Sequence, residues 1–187
     1  MINTYLSTFV TSWVAKANKY KDGKRDGAFD RFFSLFVPFN ALYQAAVDRM
    51  ISNDAIRESD VTDRRSATEY IITYIGAPLL QEHLHANCKE EIELIVKLID
   101  EGTFYVSTCR KTGKPDHQAD SIHTEGIKSN NSNHYCKGIL ELIYQTRCNM
   151  FHGSKEFTHI QIRLLKPMNA ILNQIVKILL ARLDNKV

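Results

Sequence analysis

Breakers are scarce: the chain has four prolines and eight glycines among 187 residues. Four cysteines, Cys88, Cys109, Cys136 and Cys148, form no C-x-x-C pair. Their spacings of 21, 27 and 12 residues suit neither a disulfide framework nor a zinc ribbon. Thiols spread this way point to reduced groups in a cytoplasmic protein. Charge of one sign is also weak, with 24 basic against 21 acidic residues and a formal +3. An excess that small neither announces nor forbids a nucleic-acid partner. The first residues, Met-Ile-Asn-Thr-Tyr-Leu, lack the basic and apolar regions of a secretion signal. The most apolar stretch, 32–43, is broken by Ser34, Pro38 and Asn40 and is too short to span a bilayer. These absences predict a soluble, cytoplasmic chain with no membrane association. The content of 44% apolar and 24% charged residues is that of a globular core. It excludes a disordered tail, a fibre and a disulfide miniprotein, and the length predicts one domain over 1–187.

What is present is helical periodicity, with no clean alternating run. A first helix is expected from about Thr4 to Lys19, inside an N-terminal segment 1–22. Tyr5, Leu6, Phe9, Val10, Trp13 and Val14 share its face. Gly23 and Gly27 then flank a basic turn. A second helix, from about Ala28 to Met50, carries Phe29, Phe32, Phe33, Phe36, Phe39, Leu42, Tyr43 and Ala46, with a kink predicted at Pro38. After a polar loop, Ser66-Ala67-Thr68-Glu69 fits a capping box opening a short helix that Gly76 closes. Pro78 starts another turn, and a helix from Cys88 to Glu101 buries Ile92, Ile95, Val96 and Ile99. Residues 106–133 read as a long polar insertion, poorly ordered or holding a short added element. Periodicity returns from Tyr135 to Phe151, with Ser132 or Asn133 as cap and Gly153 as C-terminal stop. A last helix runs from His159, or from Pro167, to Leu183. The sum is an all-α, antiparallel bundle of four to five main helices with no internal repeat.

The informative segment is Arg147-Cys148-Asn149-Met150-Phe151-His152-Gly153-Ser154-Lys155. Histidine takes or gives a proton near neutral pH. Arginine stays charged and grips a phosphate with two hydrogen bonds. Together they suit metal-free RNA cleavage. The substrate's own 2′-hydroxyl attacks phosphorus, His152 moves the proton, and Arg147 stabilises the transition-state charge. Five residues of ideal helix separate the two side chains by roughly 140°. Bringing them to one phosphate takes a loosened last turn or a two-fold dimer that pools two pairs. Spacing alone is weak: ten arginines and seven histidines give about 0.4 such pairs by chance. Arg110 and His117 form a second, looser pair.

The segment resembles the HEPN superfamily, helical bundles whose prokaryotic members often read close to R-N-N-L-F-H-G-G-K on a late helix. Upstream, Arg31-Phe-Phe-Ser-Leu-Phe-Val-Pro-Phe-Asn-Ala-Leu-Tyr43 resembles the second-helix signature of the same group, often W-x-A-F-N-A-L-Y. The resemblance covers about Phe29 to Leu183 and leaves out 106–133. It implies a metal-independent endoribonuclease of a toxin–antitoxin or phage-defence system. It also implies a homodimer whose paired motifs form one interface cleft, with RNA as substrate, a cognate antitoxin as partner and no cofactor. Arg147 and His152 become the catalytic pair. Asn149 is then a phosphate- or histidine-orienting residue, Lys155 a phosphate contact, and Asn40 a supporting residue from the second helix. Two positions depart from the pattern. Cys148 stands where active members often carry Asn, Asp or His. Ser154 stands where some toxins carry a tyrosine that a nucleotidyltransferase modifies with AMP, so that route of neutralisation is not expected. The competing readings are a catalytically silent HEPN bundle that binds RNA or nucleotide or mediates assembly, and a helical interaction module.

The remaining clusters are weaker. His83, His85 and Cys88, and His134 with Cys136, match no standard metal site, and no metal is expected. There is no P-loop, dinucleotide fingerprint or G-x-S-x-G elbow. Lys16, Lys19, Lys21, Lys24 and Arg25 cluster at the first turn. Lys155, Arg163 and Lys166 follow the motif, and on one face with the cleft they would attract an RNA backbone in a salt-sensitive way.

Overall fold

The computed structural model describes residues 4–20, 24–109, 112–151 and 161–185. Regular structure among them is helical, and extended pairing is confined to a bridge between Thr108 and Pro115. The helices are α1 Thr4–Ala17, α2 Arg25–Ser52, α3 Asp63–Arg65, α4 Ile71–Ile75, α5 Ala77–Asp100, α6 His117–Lys128, α7 Ser132–Phe151 and α8 Ile162–Leu183. A 3-10 turn, Glu58–Asp60, precedes α3, and a π-helical turn, Ser66–Tyr70, joins α3 to α4.

The bundle is all-α, as the periodicity required. At its centre α8 packs on both α2 and α5. Leu165, Met168, Ile171, Leu172, Ile175 and Leu179 are buried along it. Each such side chain contributes about 1.5–3 kcal/mol on burial. Among the described residues α8, with a mean hydropathy of 1.2 over its best window, is the one helix long and apolar enough to cross a membrane. That property does not fall on 32–43, and the α8 apolar face is covered by its neighbours. Buried cross-links set the direction of α2 against α8. The Asn169 amide donates to the Ala28 carbonyl (3.0 Å) near the start of α2, and Arg49 near its end donates to the Leu183 carbonyl (2.8 Å). These two helices therefore run the same way, whereas α6 and α7 form an antiparallel hairpin. At that crossing Gly126 lies against the backbone of His134, and Gly138 against that of His123.

Several local expectations are corrected. The capping residue of the third segment is Thr62, whose hydroxyl accepts from the Arg65 amide (3.3 Å); Ser66 lies inside the rod and donates to the Thr62 carbonyl (2.9 Å). The cap of α7 is Asn131, whose side-chain oxygen accepts from the amides of Asn133 and His134. Helix α8 begins before Pro167, at Ile162; α2 carries Pro38 inside it, as expected. The turn expected from Pro78 and the helix expected from Cys88 form one helix, α5, with non-helical dihedrals at Cys88 (φ −145°, ψ 22°). Segment 106–133 holds the short added element that was one of its two expectations, helix α6, so the loop itself is shorter than expected. That helix escaped its periodicity because its buried face is partly polar. Asp116 caps it by accepting from the Ala119 amide. Buried Asp120 accepts from the amides of Val106 (2.7 Å) and Ser107 (2.8 Å), and Thr124 donates to Asp100 (3.0 Å). Gly153 and His159 lie outside the described residues.

Two buried thiols couple the fold to pH. Burial pushes Cys88 up to about 11 and Cys136 up to about 12. In the unfolded chain a thiol ionises near pH ~8.5. The stability these thiols supply is therefore complete below that pH and is lost as pH rises towards the folded values, because the unfolded state sheds its protons first. The urea midpoint is expected to be level from about pH 7 to 8 and to fall steadily by about pH 10. A midpoint that stays level across that range would contradict the burial of these thiols.

Candidate functional site

Arg147 of the late-helix motif and Phe36 of the second-helix motif meet in space. Arg147 lies near the C-terminal end of α7, which closes at Phe151, and its guanidinium lies 5.7 Å from the ring centroid of Phe36 on α2 and 5.9 Å from that of Tyr144 on α7. Both distances fall within cation–π range. Phe36 is buried, and the Arg147 side chain keeps 27% of its surface open. The charge is thus held against ring faces with one side left to solvent.

A carboxylate completes the arrangement. Asp63, the first residue of α3, accepts from the Tyr43 hydroxyl at Oδ1 (2.6 Å) and from the Tyr144 hydroxyl at Oδ2 (2.9 Å). Arg147 Nη1 is 3.8 Å from the same Oδ2. Three helices, α2, α3 and α7, therefore converge on one carboxyl group. Burial first, and then the donated bond to Asp63, pushes both tyrosine hydroxyls above their usual range, so they stay protonated donors. Burial pulls Arg147 down, but the Cys148 thiol at 3.9 Å and the charge of Asp63 outweigh it, and its hold on its proton is raised. Asp63 is steadied from the next residue as well: Arg64 Nε and Nη2 both reach Glu141 on α7, whose side chain is 6% exposed. The rod beyond it contains the π turn, with Ser66, Ala67, Thr68 and Tyr70 buried. A π turn inside a helical rod is frequent at functional sites.

The other sequence-derived residues are distributed as follows. Asn40 is exposed on α2, one helical turn beyond Phe36 and one before Tyr43, so it shares the stripe that faces Arg147 and Asp63. Asn149 is placed differently. It is 6% exposed and lies about 200° around α7 from Arg147. Its amide donates to the Val106 carbonyl and its oxygen accepts from Gln145 (3.1 Å). Both polar ends are occupied, so Asn149 pins the chain at Val106 to α7 and does not orient a phosphate at Arg147. His152 and Lys155 lie outside the described residues, as does Arg110 of the looser pair. Among the described residues no three His, Cys, Asp or Glu side chains converge as metal ligands.

Sequence reasoning missed Asp63, read only as the end of a polar loop, and missed the hydroxyls of Tyr43 and Tyr144, read as apolar positions. One signal was available: a buried tyrosine hydroxyl usually needs a partner, and Tyr43 closes the second-helix motif. No protein-family model, no curated protein and no solved structure matches the chain.

A groove of about 930 Å³ between the π turn, α6 and α7 is neutralised from within. Glu141 takes Arg64, and Glu69 takes both Arg65 and Lys137. His123 on its wall is pushed down by burial, which favours its neutral form. The cationic chemistry is therefore better presented at Arg147.

Replacing Asp63 by Asn leaves a group that accepts fewer hydrogen bonds and presents a donor towards Arg147. The loss expected is about 1–2 kcal/mol, read as a thermal midpoint lower by about 3–6 °C. An unchanged midpoint would mean that Asp63 does not tie the three helices together.

Proposed function

We propose that this protein is a metal-independent endoribonuclease of HEPN type, a toxin or phage-defence component acting on RNA as a cytoplasmic homodimer under the control of an antitoxin. The observation that carries the reading is the meeting of Arg147 with the second-helix motif, its guanidinium seated over Phe36 and beside Asp63. In the reaction the substrate's 2′-oxygen forms a bond to the adjacent phosphorus while the bond from phosphorus to the 5′-oxygen breaks. The proton leaves the 2′-hydroxyl and ends on the 5′-oxygen. His152 carries that proton. Arg147 faces the non-bridging oxygens, whose charge grows in the transition state. Asp63, held by the Tyr43 and Tyr144 hydroxyls, positions Arg147 through the Nη1 edge of its guanidinium. Asn40 lies on the adjacent stripe as a polar contact for the substrate. A two-fold dimer with α7 at its interface pools both Arg147/His152 pairs in one cleft.

The second reading is a silent bundle that binds RNA without cutting it. Cys148 favours it, because its thiol lies 3.9 Å from Arg147 Nη1 in place of a stronger hydrogen-bonding side chain. The deciding experiment is cleavage of end-labelled single-stranded RNA in EDTA. The expected result is cleavage by the wild type, products ending in a 2′,3′-cyclic phosphate, and no cleavage by His152→Ala. Salt-sensitive RNA binding without cleavage would leave the silent bundle. Light scattering at micromolar concentration is expected to give a dimer, and a monomer would count against the shared cleft.

A further inference from the structure

The α1 helix has no part in the reading above, yet it presents an unusual surface. Its core face is Val10 and Ala17, with half-buried Leu6, Phe9 and Val14 packed beside them, Phe9 also reaching the solvent-facing flank. At about 100° per residue, Tyr5, Phe9 and Lys16 fall together on one flank, with Trp13 at the edge nearer the core. The Tyr5 and Phe9 rings stack with centroids 6.4 Å apart and planes at 24°. Phe9 and Trp13 follow at 6.2 Å, and Lys16 Nζ lies 4.4 Å from the Trp13 ring centroid. Tyr5 is 75% exposed. The flank is a row of three rings ending in an ammonium group.

Charge is concentrated on the same segment. Residues 1–25 hold five Lys or Arg (Lys16, Lys19, Lys21, Lys24 and Arg25) against one acid, Asp22, a net +4 in a chain whose total is +3. The other residues together carry a net −1. Residues 4–20 contain no acid at all. The whole positive excess of the chain therefore sits at this end, and the remainder is close to neutral.

We propose that α1 is a platform for single-stranded RNA. Bases stack on the Tyr5–Phe9–Trp13 row, and the phosphates they carry lie along Lys16, Lys19 and Lys24. Aromatic side chains interleaved with cations are what sequence-tolerant single-strand binding uses, since every base has a ring face. Double-stranded RNA offers no such faces. A lipid surface would want the aliphatic stripe of α1, and Val10 and Ala17 are already in the core. A second copy would set one net +4 segment against another. The position fits as well: α1 packs on α2, the helix that supplies Phe36 beneath Arg147. The inference rests on the ribonuclease reading for its substrate class. It locates the part of the strand that flanks the cleaved bond.

Trp13 is the sole tryptophan beside eight tyrosines, so emission excited selectively at tryptophan reports on this surface alone. The probe is a 2′-O-methyl oligouridylate, which cannot be cleaved by 2′-hydroxyl attack, titrated into the full chain. The expected result is saturable quenching of Trp13 that weakens steeply with salt. Tyr5→Ala weakens binding by at least about fivefold, the lower end of what one stacked base contributes. Lys19→Ala lowers the slope of log Kd against log salt by about 0.7. Absence of quenching, or quenching that Tyr5→Ala leaves unchanged, overturns the proposal. So does a Trp13 shift that appears only with phosphatidylglycerol vesicles, or only on raising protein concentration without RNA. Cleavage in EDTA without Trp13 quenching removes the platform and keeps the nuclease. Quenching without cleavage keeps the platform and removes the nuclease.

Discussion

Arg147→Ala lowers the rate of RNA cleavage by about 10²–10³-fold, the cost of one donor aimed at developing oxyanion charge. Arg147→Lys recovers only a small part of it. Arginine presents a planar fork that can grip two phosphate oxygens at once, and lysine is a flexible point charge. The site is built for the plane: the guanidinium lies against the rings of Phe36 and Tyr144, with Asp63 at one edge. An ammonium group would keep the attraction to Asp63 but lose the stacked orientation. His152→Ala is expected to cost about 10²–10⁴-fold by removing the proton carrier. Two readouts separate chemistry from folding. The thermal midpoint of Arg147→Ala should stay within about 3 °C of the wild type, because Asp63 keeps both tyrosine donors. The RNA affinity measured with an uncleavable strand should fall far less than the rate. Wild-type cleavage by Arg147→Ala would overturn the proposed function outright.

Gly138→Ala is the substitution expected to damage the fold most for its size. A Cβ at Gly138 would lie 2.5 Å from the His123 carbonyl oxygen, 2.8 Å from Ile127 Cγ1 and 3.2 Å from the Ile127 amide nitrogen. The nearest of these is backbone in α6, which cannot swing aside as a side chain can. Alanine would favour the helix by about 1 kcal/mol on propensity alone. Forcing α6 away from α7 costs about 1–3 kcal/mol, occasionally more. That movement would also strain the Asp120 bonds to Val106 and Ser107. We expect the clash to win by about 2 kcal/mol, a drop of roughly 4–8 °C in thermal midpoint. Differential scanning fluorimetry reads it directly. A higher midpoint would mean that α6 and α7 are not in backbone contact. Gly126→Ala should act in the same direction with a smaller effect, its nearest atom being the His134 carbonyl oxygen at 3.0 Å.

Arg147 and the Phe36 side of α2 were both visible as motif residues, but nothing local said that they touch. Asn149 looked like part of the same motif because it is two residues from Arg147. On a helix that spacing puts it on the far side, where Val106 claims it. Asp63 carried no periodic or motif signal, and its meaning comes from two hydroxyls 20 and 81 residues away in the chain. Helix α6 was hidden for a related reason. Its buried Asp120 and Thr124 are satisfied by partners outside the helix, so a search for apolar periodicity passes over it.

The sequence by itself determined the all-helical class, most helix positions, the apolar faces of α2, α7 and α8, and the concentration of positive charge at the N-terminal end. Those properties are local: a helix repeats every 3.6 residues, so its buried face is written in nearest neighbours. The tertiary structure alone decided that α2 and α8 run in the same direction, that two glycines let α6 and α7 touch, and that Asp63 sits between Tyr43, Tyr144 and Arg147. Those properties depend on where the chain turns back on itself, and the groups that meet there are chosen by packing, hydrogen bonding and charge across long sequence separations.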